Sequence, residues 1–198
     1  YRPALITYGA IAAIFSLILI IGAPHLLWWG LVYLPLIVAS FYLSWAKKER
    51  SLLARLVAIA AACLVLPLAI NVDMPHPWFA ADAIAPKGWY LCALLTTYFA
   101  TTVPFVKTVI RERNSTPWFV GSITVHVVVV LAMAALAVQG YNYWTHVLVW
   151  VLLTGRAVAM PLLAKHRGVP WRPRNIGMPE IGYSLLVFAT LPYGLAFP

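Results

Sequence analysis

Apolar runs of about twenty residues, separated by short connections, leave this chain few places to fold other than a lipid bilayer. A helix rises about 1.5 Å per residue, so roughly 20 apolar residues cross a hydrocarbon core about 30 Å thick while satisfying their own backbone hydrogen bonds. Seven stretches qualify: Ala4 to Ala23, Leu26 to Ala46, Leu52 to Ile70, Trp89 to Ile110, Trp118 to Val138, Tyr143 to Leu163 and Ile181 to Phe197. The sequence therefore predicts an all-α, polytopic transmembrane bundle of about seven spanning helices, one transmembrane domain over residues 1–198. Composition agrees, because 63% hydrophobic and 10% charged residues exceed the apolar share a soluble fold can bury.

The charges test this division independently, since Lys and Arg in short loops set orientation. With seven spans, Arg2, the cluster from Lys47 to Arg55, the group Lys107, Arg111 and Arg113, and the group Lys165, Arg167, Arg172 and Arg174 fall on one side. That side is expected in the cytoplasm, with the N-terminus inside and the C-terminus outside. The opposite side carries Lys87 with Asp73 and Asp82. A net charge of +9 in short clusters between apolar runs fits membrane topology, so no nucleic-acid partner is expected. Tryptophans and tyrosines gather at the ends of the runs, as in Trp28-Trp29, Trp89-Tyr90, Trp118 and Tyr141 to Trp144, in the manner of interfacial belts. Cys63 and Cys92 both lie inside apolar runs and form neither a disulfide framework nor a CxxC site. The chain opens at Tyr1 and enters an apolar run after Arg2-Pro3, so further residues are expected upstream.

Polar groups within a bilayer are costly and mark candidate sites. Arg156 sits roughly 12 Å inside the cytoplasmic boundary of the sixth run, and His126 on the fifth comes to about the same depth. Together they suggest an intramembrane polar pocket for an anionic or quinone-like head group, or a proton relay. The plainer alternative has Arg156 snorkelling or bonding carbonyls around Pro161, and His126 bonding across a helix interface. Two histidines can ligate one haem, but His146 and His126 differ in height by on the order of 13 Å, so one haem cannot take both. No cofactor and no metal is expected. The outer connection from Asn71 to Gly88, with Asp73, His76, Asp82, Trp78 and Phe79, reads as a cap or docking surface rather than a metal site.

On the cytoplasmic side, Lys107 and Arg111 stand at i and i+4 on one helical face. With Arg113, Arg172 and Arg174 they suit the phosphate of an anionic phospholipid, against the alternative of plain positive-inside charge. An enzyme handling a prenyl pyrophosphate needs clustered carboxylates for Mg²⁺, and Glu49, Glu112 and Glu180 form no such motif. Catalytic triads, Walker loops and dinucleotide fingerprints are absent too, and no catalytic residue is assigned.

The run Val106-Lys107-Thr108-Val109-Ile110-Arg111-Glu112-Arg113, the Ser51-Leu52 start after Lys47-Lys48-Glu49-Arg50, and Asn175-Ile176-Gly177 to Glu180 before the last run resemble the YwiC-like family of bacterial integral membrane proteins. The Gln-His-Gly-Ala-Trp-like motif typical of an earlier helix in that family is missing. The resemblance implies the bacterial cytoplasmic (inner) membrane and a setting near respiratory systems, and it carries no activity. Three functions stay open: a non-catalytic accessory subunit of a respiratory-type complex contacting lipid, quinone or a hetero-oligomeric membrane partner; a small-solute transporter or channel; and a prenyltransferase-like lipid-modifying enzyme. Pro35, Pro67, Pro104 and Pro161 are positioned to break four helices, as transporters use.

Overall fold

The computed structural model describes residues 2–70, 72, 86–192 and 194. Its helices are α1 (Arg2–Gly22), α2 (Trp29–Trp45), α3 (Leu52–Cys63), α4 (Val65–Ile70), α5 (Pro86–Ile110), α6 (Thr116–Val138), α7 (Trp144–Arg167) and α8 (Pro173–Thr190), and a 3-10 turn, Pro24–Trp28, leads into α2. Among the described residues there is no strand. Among the described residues, five helical stretches are long and apolar enough to cross a membrane: Pro24–Trp45, Leu52–Ile70, Lys87–Ile110, Thr116–Val138 and Trp144–Arg167. The first run gives a shorter apolar helix, Ile6–Gly22. The chain is thus an all-helical protein of membrane type. Most of the outer connection, with Asp73, His76, Trp78, Phe79 and Asp82, lies outside the described residues, as do Tyr193 and residues 195–198.

Two compact units divide the chain, Tyr1–Cys92 and Ala93–Pro198. In the first, the 3-10 turn is the centre of packing: Ala23, Leu26 and Trp29 are buried against Val32, Leu64 and Leu68. Trp29 is only 1% exposed and stacks on Trp89, with ring centroids 5.7 Å apart. It therefore belongs to the core, whereas its neighbour Trp28 keeps the exposure an interfacial belt needs. Helix α2 packs on α3, where the Tyr33 hydroxyl donates to the Ala61 carbonyl at 3.3 Å.

Local chemistry sets the ends of these helices. The Ser51 hydroxyl accepts from the Ala54 amide at 3.1 Å, capping α3. Beyond α2, Lys47 takes a left-handed φ of 55°, and the amides of Lys47 and Lys48 return to the carbonyls of Ser44 and Leu43. Gly140, with φ 80°, closes α6 in the same way, with Gly140 and Tyr141 amides donating to Ala137 and Leu136; both are Schellman turns. Of the four prolines, one interrupts its helix: α3 stops at Cys63, whose carbonyl stands four residues before Pro67 and can receive no amide from it. Pro35, Pro104 and Pro161 lie inside continuous helices.

In the second unit α7 is central, packing against α6 and α8. The buried residues of α6 are Ser122, His126, Val129, Met133 and Ala137, a spacing of three and four that makes one helical face. On α7 the buried set runs from His146 through Trp150 and Leu153 to Arg156 and Ala157. Phe105 and Val109 of α5 close on Ala157 and on Ile176 of α8. The last helix begins at Pro173, not at Ile181, and ends at Thr190. Pro173 occupies a first-turn position where a missing amide hydrogen costs nothing. Leu191, before Pro192, is extended with ψ 143°, the conformation a following proline favours. The basic loop between Lys165 and Arg174 thereby shrinks to residues 168–172, with Lys165 and Arg167 on the last turn of α7.

Candidate intramembrane polar site

The early start of α8 matters because it makes Glu180 a helical residue facing α7. Ile176, Glu180, Tyr183, Ser184 and Val187 recur at helical spacing along α8, and Ile176 and Val187 are buried. Glu180 accepts from Nη1 of Arg156. The Arg156 side chain is 2% exposed and that of Glu180 20%. The guanidinium lies 4.0 Å from the Phe105 ring centroid and 4.9 Å from that of Tyr183, so its faces are covered by π systems. Arg156 thus neither snorkels nor leans on carbonyls near Pro161; a carboxylate neutralises it. Glu180 falls in a polar stretch by hydropathy, and only the start of α8 at Pro173 places it on a helix.

Below the ion pair a second polar chain runs across the same unit. The Trp150 indole donates to His146 Nε2 at 3.1 Å. Since indole nitrogen only donates, His146 Nε2 is the acceptor and its proton sits on Nδ1, facing the Thr190 hydroxyl at 2.9 Å. Thr190 in turn donates to the Leu186 carbonyl at 2.8 Å. Both nitrogens of His146 are therefore engaged in hydrogen bonds within the unit. Tyr98 of α5 pairs with Ser184 of α8 at 2.9 Å and meets the edge of Trp150.

His126 packs against Trp150 from the α6 side, ring centroids 6.4 Å apart. Its Nδ1 donates to the Ser122 carbonyl at 2.7 Å, which in the neutral ring leaves Nε2 as an acceptor. Among the described residues, His126 Nε2, Ser122 Oγ, and Nε and Nη2 of Arg156 are buried without a hydrogen-bond partner. These atoms carry unspent donor and acceptor capacity in one helical unit, a condition that buried polar groups rarely keep.

The expected cytoplasmic basic face is only partly assembled. Lys107 Nζ lies 4.1 Å over the Trp118 ring, joining the end of α5 to the start of α6. Arg111, Arg172 and Arg174 are exposed. Arg113 lines a cleft with Lys165, which stands on the last turn of α7.

The model of the YwiC-like protein family matches residues 1–70. The uncharacterized protein YwiC of Bacillus subtilis strain 168 is 25% identical over 115 residues, which is 58% of this chain and 45% of that protein. The match thus spans less than half the length of this curated relative. The family match includes the Lys47 to Leu52 segment and not the run from Lys107 to Arg113. No solved structure matches the chain.

Proposed function

Starting from the YwiC-like character of residues 1–70 and the all-helical membrane architecture, we propose that this protein is a non-catalytic accessory subunit of a larger, respiratory-type complex in the bacterial cytoplasmic membrane. Its intramembrane site, Arg156 with His126, holds the polar head of a quinone or lipid while its outer helix faces meet partner helices. One observation carries the reading: the buried, unspent donors of Arg156 and the acceptor of His126. Guanidinium N–H groups suit a carbonyl oxygen, and a bare imidazole nitrogen suits a hydroxyl, so the pair can serve both redox forms of a quinone head.

Mild detergent extraction, native electrophoresis and organic extraction of the purified band test this. Co-migration with defined membrane partners and a retained quinone, lost in Arg156→Gln and His126→Leu, is the expected result. A monomer that carries neither would end the proposal. The buried Arg156–Glu180 pair also favours a second reading, a small-solute transporter, because intramembrane ion pairs line solute and ion pathways. Solute flux in proteoliposomes that disappears with Arg156→Gln would move the choice to it.

A further inference from the structure

The outward seam between α6 and α7 combines a basic cleft with an apolar groove. Two adjoining clefts of about 360 Å³ each share Arg113, Asn114, Pro161 and Lys165. The second of them also takes in the apolar side chains of Phe119 and Leu162. Further along the same two helices, a groove of about 440 Å³ is lined by Val127, Leu131, Val151, Gly155 and Val158, with very little polar surface. Val151, Gly155, Val158, Leu162 and Lys165 follow one another on α7 at spacings of four, three, four and three, so cleft and groove lie on a single face. From Lys165 to Gly155 is about 15 Å along the helix axis, half of a core roughly 30 Å thick. Gly155 faces open space, where a Cβ would meet nothing within 4 Å, so a larger side chain there has room to occupy the groove.

We propose that this seam binds one anionic phospholipid, its phosphate between Arg113 and Lys165 and one acyl chain in the groove over Gly155. The two cations complement a phosphodiester, and Glu112, the acid nearest in sequence, lines neither cleft. An apolar groove on the same helical face, about one leaflet's depth below the charges, fits a lipid rather than a free anion. This site shares no residue with Arg156, Glu180 or His126 and does not depend on the function proposed above. It also differs from the basic face expected from sequence: of those five residues it uses Arg113, and it adds Lys165.

Native mass spectrometry of the full chain in mild detergent, titrated with phosphatidylglycerol, phosphatidylcholine or inorganic phosphate, tests the proposal. Phosphatidylglycerol should form a one-to-one adduct roughly ten-fold tighter than phosphatidylcholine. The double variant Arg113→Gln, Lys165→Gln, on exposed positions that leave the core intact, should erase that preference. Gly155→Leu, filling open space, should weaken both phospholipids roughly ten-fold or more, while Arg172→Gln with Arg174→Gln should change nothing. Three results overturn the proposal. Equal losses from the two arginine-containing pairs would mean diffuse positive charge. Displacement of phosphatidylglycerol by inorganic phosphate, with Gly155→Leu unchanged, would mean a free-anion site. No preference between the phospholipids would mean no headgroup site.

Discussion

Arg156 of α7 and Glu180 of α8 form an ion pair whose cation is flanked by the rings of Phe105 and Tyr183. Three helices of one unit converge on this one guanidinium, and its consequences for stability follow from what burial does to an unpaired charge.

Removing either partner alone strands the other in a buried place. Arg156→Met or Glu180→Leu should each lower stability by about 3–5 kcal/mol, whereas the double variant should recover most of that loss. Reversible SDS unfolding in mixed micelles measures the coupling. Additive losses would show that the two side chains do not act as a pair.

The His146 chain makes a separate demand. Thr190→Val leaves the Nδ1–H of His146 without its partner and should cost about 1–3 kcal/mol. Trp150→Phe frees the other nitrogen, and the cost includes lost packing against Tyr98 and His126. Nitrogen NMR of histidine-labelled protein should report the Nδ1–H tautomer at His146; an Nε2–H signal would contradict the donor assignment.

Two Schellman turns predict opposite signs for reciprocal changes. Lys47 holds a left-handed conformation that costs an L-residue about 1 kcal/mol or more, so Lys47→Gly should stabilise by about that amount. Gly140→Ala should destabilise by a similar amount. Thermal melts in detergent compare the pair, and shifts of the same sign would refute the account.

Orientation is open to direct labelling. In a Cys63→Ala, Cys92→Ala background, Arg111→Cys should react with an impermeant maleimide only after the membrane is opened, and Gln139→Cys should react in intact cells. The reverse pattern would turn the proposed topology over.

Much of the architecture was legible from residue order. Apart from the last run, which is displaced by seven or eight residues at each end, and the third, which divides at Cys63, apolar runs located the helices to within a few residues because a membrane-type helix declares itself by length and hydropathy, and Arg156 stood out as a lone charge in such a run. Pro67 did interrupt its helix, while Pro35, Pro104 and Pro161 did not, since the neighbours that tolerate a proline in a continuous helix are tertiary. Glu180 reads from sequence as a cytoplasmic acid just before the last run, because hydropathy gives no credit to a helix that starts with Pro173-Arg174-Asn175. The signal was there in two parts: a proline suited to a first turn, and the spacing Ile176, Glu180, Tyr183, Ser184, Val187. Pairing it with Arg156 required the register of α8 on α7, which single-helix periodicity does not contain. Lys165 was hidden for a similar reason, since α7 continues past the expected boundary and lifts it from a loop onto a helical face.

The ion pair also imposes an order on synthesis. Glu180 is made 24 residues after Arg156, which at roughly 5–20 residues per second is a delay of about one to five seconds. Glu180 trails Arg156 out of the ribosome by that interval, so α7 presents its cation to the bilayer ahead of its counter-ion, a burden of about 2.5–3.5 kcal/mol for insertion at the middle of a span. The valines and leucines of α7 have to carry that charge into the bilayer first, and the arrival of α8 neutralises it afterwards.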